Sequence, residues 1–596
     1  MCRCNWLSRI GGVAALSTAT ALSAGPPPAD AVYRHGYVYT VDAHNAVAQA
    51  VAVRAGRLVY VGNDRGVATY IGPHTDVRDL GGRMLMPGLI DGHMHPLAGG
   101  ASLVKCNLRY ERLDVAGLQA RVQACLDASG DREPDDWLEV GNWFQEGMQG
   151  DARPSRAALD AIDTRRPIMV FSSFGHTALV NSRALALAHI DATTIDPKGG
   201  VIERDAQGQP TGILQDAAFE PIFALIPKAT PEQNATAALA ALDALRRQGV
   251  TTALDAAADS ETIAAFAAAK HAGRLTARMH FAVHIRPPEA ADPQEAVARA
   301  RALAERFDSG AIRAEPGLTV RNIKLFLDGV ITAPAQTGAM LEPYFEDRGA
   351  KARPQWAAGK NRGPDVYFAP TDLARLLTMA ADAGFEPHMH ADGDRAVRAG
   401  LDAIATLRRT HPAAEIRAAI AHDEMVDPAD FARFRALGAI PVLSFQWEKP
   451  APDTVEGARD YLGPSRYRYM EPAGVLAQQG ARIAFGSDWP VDPLDEWFAL
   501  KVSVTRTNAP AAGQQYSDRL GHDPGLTRRQ ALRAATVNAA YELHQDAATG
   551  SIEVGKLADF IVLDRNVLMI PAEDIADVRV LYTVVGGRVV YDAASP

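Results

Sequence analysis

Short runs of alternating apolar and polar residues, separated by glycine turns, mark both ends of this chain. They occupy residues 37–41, 50–54 and 57–61 near the N-terminus and 559–563, 580–585 and 588–591 near the C-terminus. Runs of this length that are rich in Val and Tyr favour antiparallel strands. We therefore predict one small β-sandwich built from both termini. Residues 32–86 form its N-terminal part and residues 546–596 its C-terminal part.

The middle of the chain follows a different rhythm, in which a helical pattern stops at a glycine and a short apolar strand follows. Three such units have predicted helices over 234–248, over 371–383 and from Asp427-Pro428, which stop at Gly249, Gly384 and Gly438. A proline near the start and a glycine after the end are ordinary helix boundary signals. The alternation predicts an α/β fold with a (β/α)8 barrel of the TIM type over residues 87–545.

One connection within the predicted barrel is far longer than a simple loop. It covers residues from about 100 to 235. Structureless loops of that length are rare in compact domains. We therefore predict an inserted subdomain or lid over about 100–235.

Composition narrows the class of protein. The 596 residues are 47% hydrophobic and 22% charged, with a net charge of −10 and a sequence pI of about 5.9. This is the composition of a folded, soluble protein. The chain has no basic stripe that would suit nucleic acid, and no long apolar run for a stable membrane span. A small-molecule partner is the expectation that remains.

Residues 1–31 are predicted to be a signal peptide and linker. Arg3 and Arg9 precede an apolar stretch over residues 10–22, and small-residue cleavage sites end at Ala21 and Ala31. This anatomy favours export to a bacterial periplasm, with a mature N-terminus between about residues 20 and 32. The alternative is a cytoplasmic protein with a disordered leader or a misassigned start codon.

Two of the four cysteines would remain after such processing. Cys2 and Cys4 lie in the leader, whereas Cys106 and Cys125 lie in the predicted insertion. An oxidising compartment permits a disulfide between the latter two. Two buried thiols are the alternative, because pairing depends on a distance that the sequence does not give.

Candidate metal ligands follow the predicted strands. His93 and His95 stand at i and i+2 after a short apolar run, so they point to the same side of a strand. Neutral imidazole is a common ligand of zinc and related cations. Two surface histidines beside a turn are the alternative reading of this pair alone. Further polar residues follow strand-like runs downstream, in the order Lys324, His390, His422 and Asp488.

A series of further motifs accompanies these candidate ligands along the chain. The series is Gly175-His-Thr-Ala-Leu-Val-Asn181, Lys324 with Asp328-Gly329, His390-Ala-Asp-Gly-Asp394, Gly486-Ser-Asp-Trp-Pro490, 536–540, 550–552 and 555–559. In this order the chain resembles the amidohydrolase superfamily of metal-dependent hydrolases over nearly all of residues 32–596. Within it, the chain is similar to the amidohydrolase-3 type branch that contains N-substituted formamide deformylase.

The resemblance implies a ligand set. It places His93, His95 and Asp488 on one metal, with His390 and His422 on a second. Lys324 resembles the lysine that family members carboxylate to bridge two metals, and an unmodified lysine beside a single metal is the alternative. One or two divalent ions, most simply zinc, are therefore expected. His388 is an alternative ligand to His390.

Two features near the motifs remain open. Asp392 stands where the family usually carries an apolar residue, so it alters the second metal site or faces solvent. The resemblance also suggests that His176 and Asn181 shape the substrate pocket, with a structural role as the alternative. The aromatic candidates for the pocket wall are Trp143, Phe144, Phe171, Phe174, Phe326 and Trp489.

The chemistry of this ligand set is hydrolytic. A divalent cation lowers the pKa of a bound water and polarises a carbonyl, and Asp488 can take the proton from that water. Asp488 could also serve as a helix N-cap. The leading hypothesis is a metal-dependent hydrolase of a non-peptide C–N bond of the amide or formamide type. The alternatives are a deaminase, an ester or cyclic-amide hydrolase, and an inactive exported binding protein; a homodimer is one candidate assembly.

Overall fold

A computed structural model describes residues 26–595 except 131–132, 134–135, 146, 151–152, 176, 198–199, 350–352 and 414. Most of the predicted signal peptide therefore lies outside the described residues. No helix within the described ranges is long and apolar enough to cross a membrane.

Eight parallel strands form the centre of the molecule. They are β1 (Leu89–Met94), β2 (Val250–Ala258), β3 (Arg278–His284), β4 (Leu318–Phe326), β5 (Glu386–Ala391), β6 (Ala419–His422), β7 (Ile440–Leu443) and β8 (Ala484–Phe485). Each strand pairs with the next in chain order, from β1 to β8. The backbone N–H of Asp488 donates to the carbonyl of His93 at 2.7 Å, which joins the last strand segment to the first. The predicted TIM-type barrel is confirmed.

Helices surround this barrel. The principal ones are Pro96–Val104, Pro231–Gln248, Ser260–His271, Pro293–Phe307, Pro370–Asp382, Asp394–Thr410, Phe431–Leu437, Ala473–Gln478, Glu496–Thr505, Arg528–Arg533 and Ala539–Glu542. The helix Pro231–Gln248 shows why local signals were informative. Thr230 and Gln233 form a capping box at its start, and Gly249 ends it with a left-handed φ of 86°.

The helix predicted from Asp427-Pro428 begins later, at Phe431. The Asp427 side chain accepts a hydrogen bond from the Ala429 N–H at 2.9 Å and so stabilises a turn instead. Asp side chains commonly compete with helix formation in this way. The predicted start was therefore wrong by about one turn of helix.

Strands from both termini form two further sheets. One contains, in spatial order, Arg57–Gly62, Ala50–Arg54, Ala31–Arg34 and Asp76–Asp79, and the other contains Arg588–Asp592, Val580–Val585, Phe560–Leu563, Met84–Pro87, Tyr37–Tyr39 and Val47–Ala48. Buried residues of the two sheets share one apolar cluster, in which Tyr33 meets Phe560 edge to face at 4.9 Å. A buried ion pair between Arg278 of β3 and Asp559 (2.6 Å) ties the second sheet to the barrel.

Folded structure begins before the predicted boundary at residue 31. The Ala29 N–H donates to the Tyr70 carbonyl, and Ala31 pairs with Val53 and Asp76. Cleavage after Ala31 would remove these contacts, whereas cleavage after Ala21 would leave them intact.

The long connection after β1 builds its own six-stranded sheet. Its strands are, in spatial order, Gly200–Arg204, Pro210–Asp216, Thr177–Val180, Ile168–Ser172, Leu138–Trp143 and Cys106–Asn107, and its helices include Val115–Ala128, Arg156–Asp160 and Ser182–Leu187. Cys106 and Cys125 are joined by a disulfide, with their Cα atoms 5.6 Å apart. The bond fastens the edge strand of this sheet to the helix Val115–Ala128.

Candidate active site

The carboxyl ends of the barrel strands bring the predicted ligands together. Asp488 Oδ1 lies 3.2 Å from His95 Nε2 and 3.4 Å from His93 Nε2. Asp488 Oδ2 lies 4.0 Å from His422 Nδ1. His93 lies in β1, His95 directly follows β1, His422 ends β6 and Asp488 follows β8. One strand-end cluster therefore unites residues separated by almost 400 positions in the chain.

Lys324 of β4 lies directly beside this cluster. It is fully buried, and its Nζ is 3.2 Å from His93 Nε2 and 4.6 Å from the ring centre of Phe326. Burial lowers the pKa of Lys324 to about 7, although the nearby carboxylates Asp488 and Asp392 oppose this. A substantial fraction of the amine is therefore uncharged at neutral pH.

A second group of potential ligands adjoins the first. His390, Asp392 and His422 each offer one ligand atom, all within 4.8 Å of one another; His93, His422 and Asp488 do the same. His422 thus belongs to both groups. Asp392 is only 1% exposed, which answers the question left by the sequence: it faces the second group and not solvent.

His388, the alternative to His390 in the sequence analysis, belongs to neither group of potential ligands. Its Nε2 lies 2.7 Å from His93 Nδ1, and its Nδ1 lies 3.2 Å from Glu542 Oε1. It shares a face of β5 with His390 because the two are at i and i+2. His388 is two residues nearer the amino end of β5 than His390, so it lies deeper in the barrel than the ligand cluster.

Two buried aspartates hold the backbone of the site. Asp91 accepts from the N–H groups of His93 (3.0 Å) and Ser487 (3.1 Å), which fixes β1 against the segment that carries Asp488. Asp328 accepts from Ala339 (2.8 Å), Asp392 (3.0 Å) and Gly393 (2.9 Å). Burial raises the pKa of each aspartate to about 7.

The backbone around the ligands is tightly specified. His422 has φ 79° and Asp488 has φ 52°, both in the left-handed region that such residues seldom occupy. Gly486 approaches β1 so closely that a Cβ there would lie 2.4 Å from the Cβ of His93. Strained residues of this kind cluster at functional sites because the surrounding structure must hold them.

The electrostatics suit a cation. Burial lowers the pKa of His93 and His422 well below the ordinary value, so both rings are neutral and offer lone pairs. Burial pushes the pKa of Asp488 upward, but the His95 and His422 rings and Lys324 outweigh it and hold the pKa below its usual value. Among the described residues, His422 Nδ1 and Asp392 Oδ1 are buried without a hydrogen-bond partner. Such atoms need a partner, and a divalent cation would supply it.

A cavity of about 570 Å³ opens above the ligands. Phe171, Phe174 and Phe326 line it as predicted, and Phe223 and Trp447 line it in addition. The Trp447 ring stacks on His422 with 5.1 Å between centres. The other aromatic candidates, Trp143, Phe144 and Trp489, are absent from this lining.

The polar part of the cavity wall contains carboxyl groups that the sequence had not singled out. Glu424 and Asp453 lie there with Asp392. Burial raises the pKa of Glu424 to about 8 and that of Asp453 to about 6. Glu424 follows His422 by two positions, so the strand-end pattern alone could have marked it as a candidate.

Of the two predicted substrate-contact residues, the structure describes only Asn181. His176 lies outside the described residues. The Asn181 side chain caps the helix Ser182–Leu187 by accepting from Ala184 (3.0 Å), and it also accepts from Ile168 (3.1 Å) and donates to the Arg166 carbonyl (3.0 Å). The backbone thus engages both polar atoms of Asn181, and the residue is not among those that line the cavity.

Comparison with known proteins agrees with the fold and the motifs. The chain is 27% identical over 584 residues to the protein LONG AFTER FAR-RED 3 of Arabidopsis thaliana, covering 94% of this chain and 92% of that one. It is 25% identical over 567 residues to N-substituted formamide deformylase of Arthrobacter pascens, covering 93% and 97%. The crystal structure of an uncharacterized metal-dependent hydrolase from Pyrococcus horikoshii OT3 has the same fold, with a TM-score of 0.68, 21% identity and coverage of 91% and 99%.

The family itself follows from the extent of a profile match. The profile of the amidohydrolase family matches residues 76–591, which is most of the chain. The resemblance predicted from the motifs is therefore confirmed: the chain belongs to the amidohydrolase family.

Proposed function

We propose that the protein is a metal-dependent hydrolase that cleaves a non-peptide C–N bond of the amide or formamide type. The observation that carries this proposal is the position of the Asp488 carboxylate, within 3.4 Å of His93 and His95 and 4.0 Å of His422, beneath an apolar cavity. Carboxylate and imidazole side chains converging at a barrel mouth are the usual basis of hydrolytic metal sites.

The residues divide into ligands and a base. His93, His95 and Asp488 would hold one cation, and His390 and His422 a second, with Asp392 close enough to contribute. A bound divalent cation would lower the pKa of water and polarise the substrate carbonyl. Zinc suits this mixture of nitrogen and oxygen donors.

Lys324 is proposed to carry a carboxyl group. Its neutral amine can add to CO2, forming an N–C bond and releasing one proton, which converts the neutral side chain into an anionic carbamate. The buried position beside His93 and the pKa of about 7 both support this step. The product would offer two oxygens where an ammonium offers none.

Asp488 is proposed to move the proton. It would accept one from the attacking water and deliver it to the nitrogen of the leaving amine, so that the carboxylate is regenerated in each turnover. Its lowered pKa keeps it ionised and ready to act at neutral pH. No serine or cysteine nucleophile is needed.

The cavity supports a small substrate with an apolar substituent. Its volume of about 570 Å³ and its five aromatic side chains are typical of a pocket for a small organic molecule. The similarity to N-substituted formamide deformylase supports an amide whose nitrogen carries a substituent, and the aromatic wall of the cavity favours an apolar one.

A substrate panel tests this function. Zinc-loaded protein would be incubated with N-alkyl and N-benzyl formamides, N-acyl amines, cyclic amides, esters, aminopurines and dipeptides, with Asp488→Ala as the inactive control. We expect an amine and a carboxylate from one of the first three classes. Ammonia from an aminopurine would make the protein a deaminase, and tight binding without turnover across the panel would contradict catalysis.

We also propose that the chain is exported. The charged and apolar pattern of residues 1–22 supports this, as does the disulfide between Cys106 and Cys125, since such bonds persist in oxidising compartments. N-terminal sequencing of the native protein should find a start near residue 22. An intact Met1 in a cytoplasmic fraction would contradict the proposal.

A further inference from the structure

Three buried side chains form a line that leads away from the candidate metal centre. His93 Nδ1 lies 2.7 Å from His388 Nε2, and His388 Nδ1 lies 3.2 Å from Glu542 Oε1. The His93 side chain is 1% exposed, and those of His388 and Glu542 are 0% exposed. The line joins β1 to β5 and then to the helix Ala539–Glu542 near the C-terminus.

We infer that His388 and Glu542 are positioning residues that keep the proton of His93 on Nδ1, so that Nε2 presents a lone pair to the metal. This inference rests on the proposed metal-dependent function. It assigns a task to two residues that belong to neither candidate ligand group.

The argument starts from the number of protons. A neutral imidazole carries one N–H, and the contact between His93 Nδ1 and His388 Nε2 has room for one proton. If His93 donates it, Nε2 of His93 is left with a lone pair toward Lys324 Nζ (3.2 Å) and Asp488 Oδ1 (3.4 Å). If His388 donates it, the remaining proton of His93 sits on Nε2 and blocks coordination.

Glu542 decides between these two arrangements. When His388 accepts at Nε2, its own proton sits on Nδ1 and points toward the Glu542 carboxyl group. Among the described residues, neither carboxyl oxygen of Glu542 has a partner that meets hydrogen-bond geometry, and the same is true of His388 Nδ1, so these buried atoms, 3.2 Å apart, are left to satisfy each other. An ionised Glu542 can only accept, and a buried acceptor without a donor is costly, so it favours the tautomer in which His388 donates to it. Burial raises the pKa of Glu542 and opposes ionisation, whereas a cation bound at His93 Nε2 would favour the ionised form.

Gly92 supplies independent support. A Cβ at this position would lie 2.3 Å from Glu542 Oε2 and 3.1 Å from the Phe485 carbonyl oxygen, so the Glu542 carboxyl group would have to move. Gly92 is not among the glycines with positive φ, so space and not backbone conformation calls for glycine between Asp91 and His93. The motif that carries the metal ligands therefore also makes room for the carboxylate that orients one of them.

The far end of the line is held in place. The Asn538 side chain donates to the Ile483 carbonyl at 2.8 Å, which anchors the start of the helix Ala539–Glu542 next to β8. Carboxylate–histidine pairs behind a ligand commonly fix its tautomer and strengthen its binding. Here a second histidine extends the pair by one ring.

The test measures zinc affinity and the tautomer of His93, and neither readout depends on turnover. Zinc dissociation constants would be determined by competition with a chelator, and ring-nitrogen chemical shifts would be recorded on protein with isotope-labelled histidine. Glu542→Leu and His388→Leu should each weaken zinc binding about 10- to 100-fold and shift part of the His93 population to the Nε2-protonated tautomer. Glu542→Gln retains an acceptor oxygen and should have a smaller effect.

Two further variants separate this role from simple packing. Gly92→Ala should displace the Glu542 carboxylate while leaving both rings in place, and it should weaken zinc binding in the same direction. His280 is the control. It is also buried on a barrel strand, and it lies near the amino end of β3, four residues before His284 at the carboxyl end. His280→Leu should leave zinc affinity and the His93 tautomer unchanged even if it lowers thermal stability.

Some results would overturn the inference. Glu542→Leu and Gly92→Ala proteins that fold and bind zinc with unchanged affinity and an unchanged His93 tautomer would do so. An equal loss of affinity in His280→Leu would do so too. A wild-type protein that binds zinc but hydrolyses nothing in the substrate panel would contradict the proposed reaction while leaving this inference standing.

Discussion

Replacing Asp488 by asparagine isolates its role as a base. The variant keeps the size of the side chain and one coordinating oxygen, but its amide group is not basic enough to accept a proton from water. In the wild-type protein Oδ1 lies 3.2 Å from His95 Nε2 and 3.4 Å from His93 Nε2, so the change falls at the centre of the cluster. Asp91 accepts from the backbone N–H groups of His93 and Ser487, so the backbone on both sides of the cluster should persist in the variant.

The expected effect follows from the chemistry. Loss of a positioned acid–base group typically lowers the rate about 10²–10⁴-fold, which corresponds to about 2.7–5.4 kcal/mol of transition-state stabilisation. We expect kcat to fall by this factor on the best substrate of the panel. The metal content and the circular dichroism spectrum should stay near those of the wild type, because a ligand oxygen and the barrel are retained.

Asp259→Asn is the matched control. Asp259 also follows a barrel strand, β2, but its side chain accepts from the Thr262 N–H at 2.8 Å and caps the helix Ser260–His271. Asparagine caps helices equally well, so this variant should keep full activity. Near-normal turnover of Asp488→Asn with metal retained would refute the assignment and leave Asp488 as a structural residue.

Three further predictions concern other parts of the molecule. Lys324→Ala should lose metal and most activity, with partial rescue by short carboxylic acids. The wild type should incorporate isotope-labelled bicarbonate as a carbamate. A free Lys324 amine in an enzyme that is fully loaded with metal would contradict this. Serine at Cys106 and Cys125 should lower stability by about 3 kcal/mol, since the bond closes a loop with a sequence separation of 19, and unchanged thermal unfolding would refute it. In the metal-free protein, burial raises the pKa of Glu424 from 4.5 to about 8. Because the folded state then binds more protons than the unfolded state, the free energy of unfolding of metal-free protein should fall as pH rises through this interval, and Glu424→Gln should flatten that slope.

The sequence predicted the parts of the fold that local chemistry determines. The helix expected over 371–383 is Pro370–Asp382, and the strand expected from residue 250 begins there. Both are bounded by proline or glycine signals that act within a few residues. The start at Asp427 failed for a local reason as well, because its side chain stabilised a turn.

Long-range pairing was beyond the same reasoning. The six-stranded sheet of the insertion places Cys106–Asn107 beside Leu138–Trp143, while the strand Gly200–Arg204 lies at the opposite edge. The hydrophobic periodicity of these segments does not indicate in which order the strands pair. The sequence could predict only that so long a segment must fold by itself.

The candidate site divides in the same way. Ligands at strand ends could be predicted because parallel strands end at one face of a barrel. The partner of His93, in contrast, is His388, 295 residues away, and the contact depends on the register of β5 against β4. Glu542 stands in a short helix of ordinary composition, and its approach to His388 and to Gly92 depends on how that helix packs against the barrel.

The central claim is that His93, His95, His390, His422 and Asp488 bind divalent metal that the protein needs for catalysis. Metal analysis after mild dialysis, carried out on the wild type and on a His93→Ala, His422→Ala double variant, tests it most directly. The account predicts one or two equivalents of metal per wild-type chain, loss of metal and activity on chelation, restoration by zinc, and less than half as much metal in the folded variant. A wild-type protein with almost no metal that stays fully active under strong chelation would contradict the account.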